Sequence, residues 1–342
     1  MESFGIARLV VRIELMQIQT RPAACRLALA AAATVSCALA LALLFPAGAA
    51  SASAGAPRVL IVFLPGQLKV PPALGAVGSA PKRKVQRTVT DQLAAQSQLS
   101  VGLSSPVQGR YIAAQALLDI TQGTRVSLSS YSPEIPPSMV LVPDQRGAYF
   151  RGWMAVEKRA RDAPAQVVPG LLAGSIGGGA AYAGVEGQPQ KDAVVAADRA
   201  GRIERLSIGS AASLPARAQA LLSERRLVVA TLAAGDAGDR QLSTLLAERD
   251  SNELLIVMRS PPGRRGAQLL PVGIAGLGKP GTLSSSTTHL DGVVAGIDIL
   301  PTAFDWLGVP IPSAASGQPI QVLPGRDTQQ LLALKGRLQV VG

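Results

Sequence analysis

Between Gly292 and Ile320 the chain prescribes its own geometry. Val293 to Ile297 is an apolar run of strand length, Asp298 follows it, Pro301 sits where only the first turn of a helix accepts proline, and Gly308 supplies a stop. Pro310 and Pro312 forbid the helix to resume. A strand that runs straight into a capped helix must be covered by that helix, which points to a layered α/β fold. The centre of the chain agrees. Helix Ala216 to Arg225, strand Leu227 to Leu232, a loop with Gly235 and Asp236, helix Arg240 to Arg249 and strand Glu253 to Arg259 alternate regularly. That rhythm is expected of a mostly parallel sheet with helices on both faces.

Of the 342 residues, 48% are hydrophobic and only 3% aromatic, so a sizeable core has to be built from Ala, Val, Leu and Ile. Both cysteines, Cys25 and Cys37, precede residue 55, which removes disulfides, thiolate metal ligands and cysteine nucleophiles from the remainder. Net charge is +11 over the chain. From residue 55 onward, 29 Lys and Arg face 20 Asp and Glu, or +9, in scattered clusters at Lys82 to Lys84, Lys158 to Arg161, Arg225 to Arg226 and Arg264 to Arg265. Few aromatics interleave with them, so nucleic acid is not an expected partner. A basic surface suits anionic lipid or envelope polymer.

Leu27 to Phe45 carries no charge, follows Arg21 and Arg26, and leads into Pro46 and the small residues Ala47 to Ala54. Residues 1–54 therefore read as a secretory signal cleaved near Ala52 or Ala54, or as an uncleaved membrane anchor, and the expected location is extracytoplasmic. Met16 offers an alternative start that leaves an ordinary short basic leader.

Arg58 to Leu64 is expected to be a buried strand ended by Pro65-Gly66, Lys69 to Thr90 a surface loop, and Gln98 to Leu103 a strand. Ser104-Ser105-Pro106 reads as a helix start, Tyr111 to Ile120 as an amphipathic helix closed by Thr121-Gln-Gly123, and Ser127 to Pro143 as irregular chain. Gly174-Ser-Ile-Gly-Gly-Gly179 lacks the endings of a phosphate loop or dinucleotide fingerprint and reads as a turn. Ala193 to Ala197 and Arg202 to Ile208, around Asp198-Arg-Ala-Gly201, read as a hairpin. Strands follow at Leu269 to Ile274, Thr282 to Thr287 and Val293 to Ile297, and Gln329 to Val341 reads as helix.

The Asp298 to Gly317 segment resembles the C-terminal segment of the alkaline phosphatase superfamily, which includes cofactor-independent phosphoglycerate mutases, sulfatases and nucleotide phosphodiesterases. Three other places resemble that superfamily in order. The strand Val59 to Leu64 stands where members end in a metal-binding Asp, but Leu64-Pro65-Gly66 is here instead. Leu117-Leu-Asp-Ile-Thr-Gln-Gly123 resembles the helix end and glycine turn downstream of the family's Ser or Thr nucleophile. Leu254-Leu-Ile-Val-Met-Arg-Ser260 resembles the strand that delivers an Asp-His pair, yet Ser260-Pro261-Pro262-Gly263 carries neither. Together with the leader, these motifs look like bacterial envelope proteins with a degenerate phosphatase-like domain. The resemblance implies a three-layer sandwich over residues 55–325, with 326–342 as a helical tail.

The family's chemistry needs carboxylates and imidazoles around two divalent ions. The chain has one histidine, His289, and lacks the first-strand Asp and the Asp-His pair. No metal, cofactor or catalytic residue is therefore expected. If activity remains, Ser104, Ser105, His289 and Asp298 are the candidates: hydroxyl nucleophiles near a helix start, the lone imidazole, and a carboxylate whose ordinary role is a helix cap. Asp236 and Asp239 read as a solvated turn without the ligand count of a calcium site. The expected function is binding or assembly at the envelope, with a protein, an anionic polymer or a lipid as partner and the membrane engaged through residues 1–54 if they are retained. The alternative is a residual metal-dependent phosphoesterase or phosphotransferase.

Overall fold

A computed structural model describes residues 55–65, 89–105, 112–263 and 269–340. The first half comprises β1 (Arg58–Leu64), α1 (Val89–Ala95), β2 (Ser100–Ser105), α2 (Ala113–Gln122), β3 (Val140–Pro143), β4 (Ala148–Arg151), α3 (Trp153–Arg161), α4 (Leu171–Gly174) and β5 (Ala180–Val185). The second comprises β6 (Arg202–Ile203), β7 (Arg205–Gly209), α5 (Leu214–Glu224), β8 (Leu227–Thr231), α6 (Asp236–Ala247), β9 (Glu253–Arg259) and β10 (Leu270–Ala275). β11 (Thr282–Ser284), β12 (Val293–Ala295), α7 (Ile299–Leu307), β13 (Gln321–Leu323) and α8 (Thr328–Val340) complete it. Tight 3₁₀ turns occupy Leu128–Ser130, Lys191–Ala196 and Gly296–Asp298.

Ten strands form the central sheet, in the order β13-β11-β2-β10-β9-β1-β8-β5-β7 with β12 also on β2. β7, β5, β8, β1 and β9 pair in parallel, and β10 runs antiparallel between β9 and β2. β3, β4 and β6 make a separate small antiparallel sheet. The central strand shows why the sheet needs two covers. Val59, Leu60, Ile61, Val62 and Phe63 are all fully buried, so both faces of β1 are dry. Val59, Ile61 and Phe63 face a cluster that includes α2, α7, the Lys191–Ala196 turn and the small sheet. Leu60, Val62 and Leu64 face leucines and alanines of α1, α5, α6 and α8. Each such side chain contributes about 1.5–3 kcal/mol on burial. The architecture is thus a mixed α/β sandwich with a large, mostly parallel sheet between helical layers, compatible with an alkaline-phosphatase-like fold.

Several sequence expectations need correction. Val89 and Thr90 open a helix rather than close a loop, and the rest of Lys69 to Thr90 lies outside the described residues. Ser104 and Ser105 are the last residues of β2, not a helix start, because the strand is held on one side by β10 and on the other by β12. Ala193 to Ala197 form no strand: the Lys191–Ala196 turn coils against the sheet, while the Asp198 to Gly201 turn and the second arm, Arg202 to Ile208, are present, the latter split into β6 on the small sheet and β7 on the central one. In the Asp198 turn, Oδ1 of Asp198 accepts from the amides of Ala200 and Arg202 at 2.9 and 2.8 Å. Asp236 and Asp239 lie in the first turn of α6 rather than in a loop. Thr282 to Thr287 shortens to β11, and Val293 to Ile297 stops at Ala295 before tightening into a 3₁₀ turn. The leader at residues 1–54 lies outside the described residues.

Candidate functional site

In parallel α/β sheets, functional groups gather beyond the carboxyl ends of the strands. Here β1 ends at Leu64, β8 at Thr231 and β9 at Arg259, and the Ser260 amide donates to the Leu64 carbonyl at 2.8 Å. The carboxylate present at this edge comes from the Lys191–Ala196 turn. Asp192, 1% exposed, accepts from Ser260 Oγ at 2.9 Å and from Thr231 Oγ1 at 3.3 Å. Tyr182 of β5 places its Oη 2.8 Å from Thr231 Oγ1 and donates to Gln190 Oε1 at 2.7 Å. Burial pushes the Asp192 carboxyl up to about 6, against the opposing pull of Lys191 and the two hydroxyls. The Lys191 ammonium, which donates to the Pro261 carbonyl, is lowered by burial, favoured by Asp192 and disfavoured by Arg259. The sequence signal for this cluster was slight: Thr231 closing the apolar strand Leu-Val-Val-Ala, and an Asp immediately before an apolar run.

A second buried network grows from the Leu117 to Gly123 motif. Asp119 Oδ1 accepts from Gln115 Nε2 at 2.7 Å and Gln122 Nε2 at 2.8 Å, and the Tyr131 hydroxyl lies within 3.4 Å of both amides. Arg159 of α3 stacks 3.7 Å above the Tyr131 ring and donates to Gln115 Oε1 and to the carbonyls of Pro133 and Glu134. Desolvation raises the Asp119 carboxyl to about 8, although Gln115, Arg125 and Arg159 all favour its ionised form. Gly123 ends α2 at φ +61°, and a side chain there would meet Leu300 of α7 at 2.9 Å. Its carbonyl accepts from the amides of Ser316 and Gly317 at 2.9 and 3.1 Å. The two motifs singled out in the sequence therefore pack on each other.

Asp298 does not cap α7 forward. Fully buried, it reaches back to the Ala295 amide at 2.7 Å through Oδ2, while Oδ1 accepts from Thr287 Oγ1 at 2.6 Å and the Gln318 amide at 3.0 Å. One carboxylate thus pins the strand before the helix, the loop that carries His289, and the chain that returns after the prolines. Ser105 pairs with Ala295 in the sheet and so lies in the same neighbourhood, where Arg125 donates to its carbonyl at 3.2 Å and reaches its Oγ at 3.4 Å. Ser104 is fully buried, and its hydroxyl has no partner among the described residues. His289 is exposed on a turn at φ +52°, its amide donating to Ser285 O at 3.2 Å. Ser284 Oγ donates to Asp291 Oδ1 at 3.3 Å.

These residues do not fit the two-ion centre that the resemblance implies. No three His, Cys, Asp or Glu side chains converge among the described residues. Asp298 is engaged by three donors and Asp192 by two hydroxyls. What does open beside the carboxyl edge is a cavity of about 650 Å³. It lies between the first turn of α2, the Lys191–Ala196 turn, β7 and the small sheet, and is walled chiefly by Leu117, Leu141, Phe150, Val194, Leu206 and Ile208. Among the described residues Lys191 is the one charged residue in its lining, and nothing in the sequence pointed to it.

No family model and no curated protein matches the chain. Among solved structures, the PH0037 protein from Pyrococcus horikoshii is similar at 12% identity and a TM-score of 0.41, over 75% of this chain and 98% of that one. Leishmania mexicana phosphoglycerate mutase is similar at 17% identity and a TM-score of 0.34, over 46% of this chain and 40% of that one. Ps i-CgsB, solved in complex with k-i-k-neocarrahexaose, is similar at 11% identity and a TM-score of 0.37, over 82% of this chain and 77% of that one.

Proposed function

We propose that the protein is a non-hydrolytic binding or assembly domain of the bacterial cell envelope, built on a degenerate alkaline-phosphatase-like framework and carried out of the cytoplasm by residues 1–54. The observation behind the reading is what stands at the carboxyl ends of β1 and β9. Leu64-Pro65 and Ser260-Pro261 occupy the positions at which the resembling family presents metal ligands, and Ser260 is tied to Asp192 at 2.9 Å. A buried carboxylate engaged by two hydroxyls, in no cluster of three or more carboxylates and imidazoles among the described residues, lacks the ligand set that a pair of hard divalent ions requires. The leader and the basic surface support the envelope as the place of work.

The test is metal analysis of the purified full chain, with phosphomonoester and phosphodiester turnover measured across Zn²⁺, Mn²⁺ and Mg²⁺. The expected result is substoichiometric metal and no turnover above the buffer rate. Stoichiometric metal with turnover abolished by His289→Ala overturns the proposal. One observation favours a second reading, a residual phosphoesterase: Arg125 lies 3.4 Å from the hydroxyl of Ser105, a pairing suited to an anionic ester. That reading requires turnover that disappears in Ser105→Ala and in Arg125→Gln alike.

A further inference from the structure

We infer that the 650 Å³ cavity is a binding site for a single-chain amphiphile with an anionic head, its hydrocarbon chain among the apolar walls and its head against Lys191. The inference rests on the binding reading above and gives it a ligand class. A cavity of this size lies in the range of small-molecule sites, which are mostly apolar with a few placed polar groups.

The polar lining decides between kinds of ligand. Gln190 is spent internally: Oε1 accepts from Tyr182, and Nε2 donates to the carbonyls of Val185 and Gln188 at 2.8 and 2.6 Å. Lys191 commits one ammonium proton to the Pro261 carbonyl, and an ammonium has three. Among the described residues it is therefore the lining side chain with both charge and donor capacity to offer, and the charge it complements is negative. An apolar peptide would bring an amide N–H and a carbonyl with every residue, each needing a partner within walls of Leu, Val and Phe. A hydrocarbon chain brings none. The mouth agrees with such a ligand, since Val140 and Ile208, both lining residues, are 45% and 40% exposed. Apolar side chains held in water at the lip of an apolar cavity are surface that an aliphatic chain would cover on entry.

The experiment is photolabelling of the full chain with a palmitic acid analogue carrying a terminal diazirine, in parallel with the matching hexadecanol analogue, and mapping of the labelled residues by mass spectrometry. The acid probe is expected to label the wall of the cavity, in competition with unlabelled palmitate. The double variant Val140→Glu, Ile208→Glu changes exposed positions only and should lower that labelling about tenfold or more, because a carboxylate at the lip opposes both chain and head. Lys191→Gln should lower labelling by the acid about tenfold and leave the alcohol within about twofold, the loss expected for one charge-assisted contact. Circular dichroism melts of both variants matching the parent exclude misfolding as the cause. Labelling spread over the chain, or labelling of the cavity that ignores the lip variant, overturns the inference. Equal loss of both probes in Lys191→Gln overturns the assignment of the head. Either failure leaves the non-hydrolytic reading intact, whereas metal-dependent phosphoester turnover would break that reading and not this site.

Discussion

On one face of the central sheet, α1, α5, α6 and α8 cover Leu60, Val62 and Val228 chiefly with leucine, valine and alanine, with Glu253, Gln92 and Gln241 among its buried polar exceptions. On the other, the cover is irregular: α2, α7, the Lys191–Ala196 turn and the small sheet bring three buried carboxylates, Asp119, Asp192 and Asp298, each wrapped in hydrogen bonds. The cavity opens on that second face too. A leucine layer is tolerant and carries no address, because any apolar residue of similar volume satisfies it. A buried carboxylate is satisfied only when particular donors arrive in particular places, so the polar face fixes where its segments sit. The first face covers the sheet, and the second is where the proposed binding site lies.

The largest effect should come from the leucine face and should be silent in function. Leu245→Ala in α6, at a fully buried position, is expected to cost about 3 kcal/mol in denaturant unfolding while leaving palmitate labelling of the cavity unchanged. Loss of labelling at a temperature where the variant remains folded would break the division between the faces. On the polar face, Asp298→Asn replaces a single heavy atom yet should cost nearly as much, about 2–3 kcal/mol. Whichever way the amide turns, its NH₂ meets the Ala295 amide on one side or the Gln318 amide on the other, donor against donor. A cost under 0.5 kcal/mol, on the scale of an ordinary surface substitution, would show that this carboxylate is not the pin described above.

A third comparison uses pH. Folded Asp119 keeps its proton up to about 8, while the unfolded chain releases it near 3.8. Between those values the folded state binds more protons, so stability falls as pH rises and levels off above about 8. Asp192 adds a contribution of the same sign over a shorter range that ends near 6, so its total is smaller. Asp119→Asn keeps an oxygen for Gln115 and Gln122 and removes the charge. It should therefore be more stable than the parent at pH 8 by about 2 kcal/mol, with the difference shrinking towards pH 4. Melting temperatures at pH 5, 6.5 and 8 measure this, and parallel curves for parent and variant would assign the slope to other groups.

How much of this could be read in the sequence also divides by face. The alternation from Ala216 to Arg259 appears in the structure as α5, β8, α6 and β9 with ends shifted by few residues, because amphipathic periodicity is a local property. The helix after Asp298 was equally legible, with Gly308 at φ +64° as its stop. The polar face was not. Asp192 and Arg159 owe their roles to partners 39 and 44 residues away, and no spacing rule reports such meetings. Asp119 does bond within its own helix, to Gln115 and Gln122, but its burial depends on packing that spacing does not report. The first arm of the expected hairpin failed for a related reason. Ala193 to Ala197 is apolar enough for a strand, but its neighbour Asp192 is anchored to Ser260 and Thr231, which holds the segment as a tight turn over the sheet. Ser104 and Ser105 were misplaced because Pro106 suggested a helix start, while pairing with β12, remote in sequence, keeps them in a strand.

Gly123 tests where the two legible motifs meet. Its positive φ excludes most side chains, and a methyl group would press on Leu300 at 2.9 Å. Gly123→Ala should cost about 1–2 kcal/mol, and in a double-mutant cycle that cost should be smaller in the Leu300→Ala background, where the steric conflict disappears even though Leu300→Ala has its own cavity cost. Strict additivity of the two substitutions would mean that the cost lies in the backbone alone.

The smallest effect concerns the lone histidine. His289 occupies φ +52° on an exposed turn, a conformation that costs a side chain something and glycine nothing. His289→Gly should therefore raise stability slightly, by under about 1 kcal/mol, offset in part by the added freedom of the unfolded chain. A residue kept for binding or catalysis would trade stability for function, so the informative measurement pairs the melt with amphiphile labelling and metal content. A slightly higher melting temperature with labelling and metal unchanged places His289 outside both polar networks. A variant that melts lower, or that loses bound metal, would return the histidine to the functional face and with it the phosphoesterase reading.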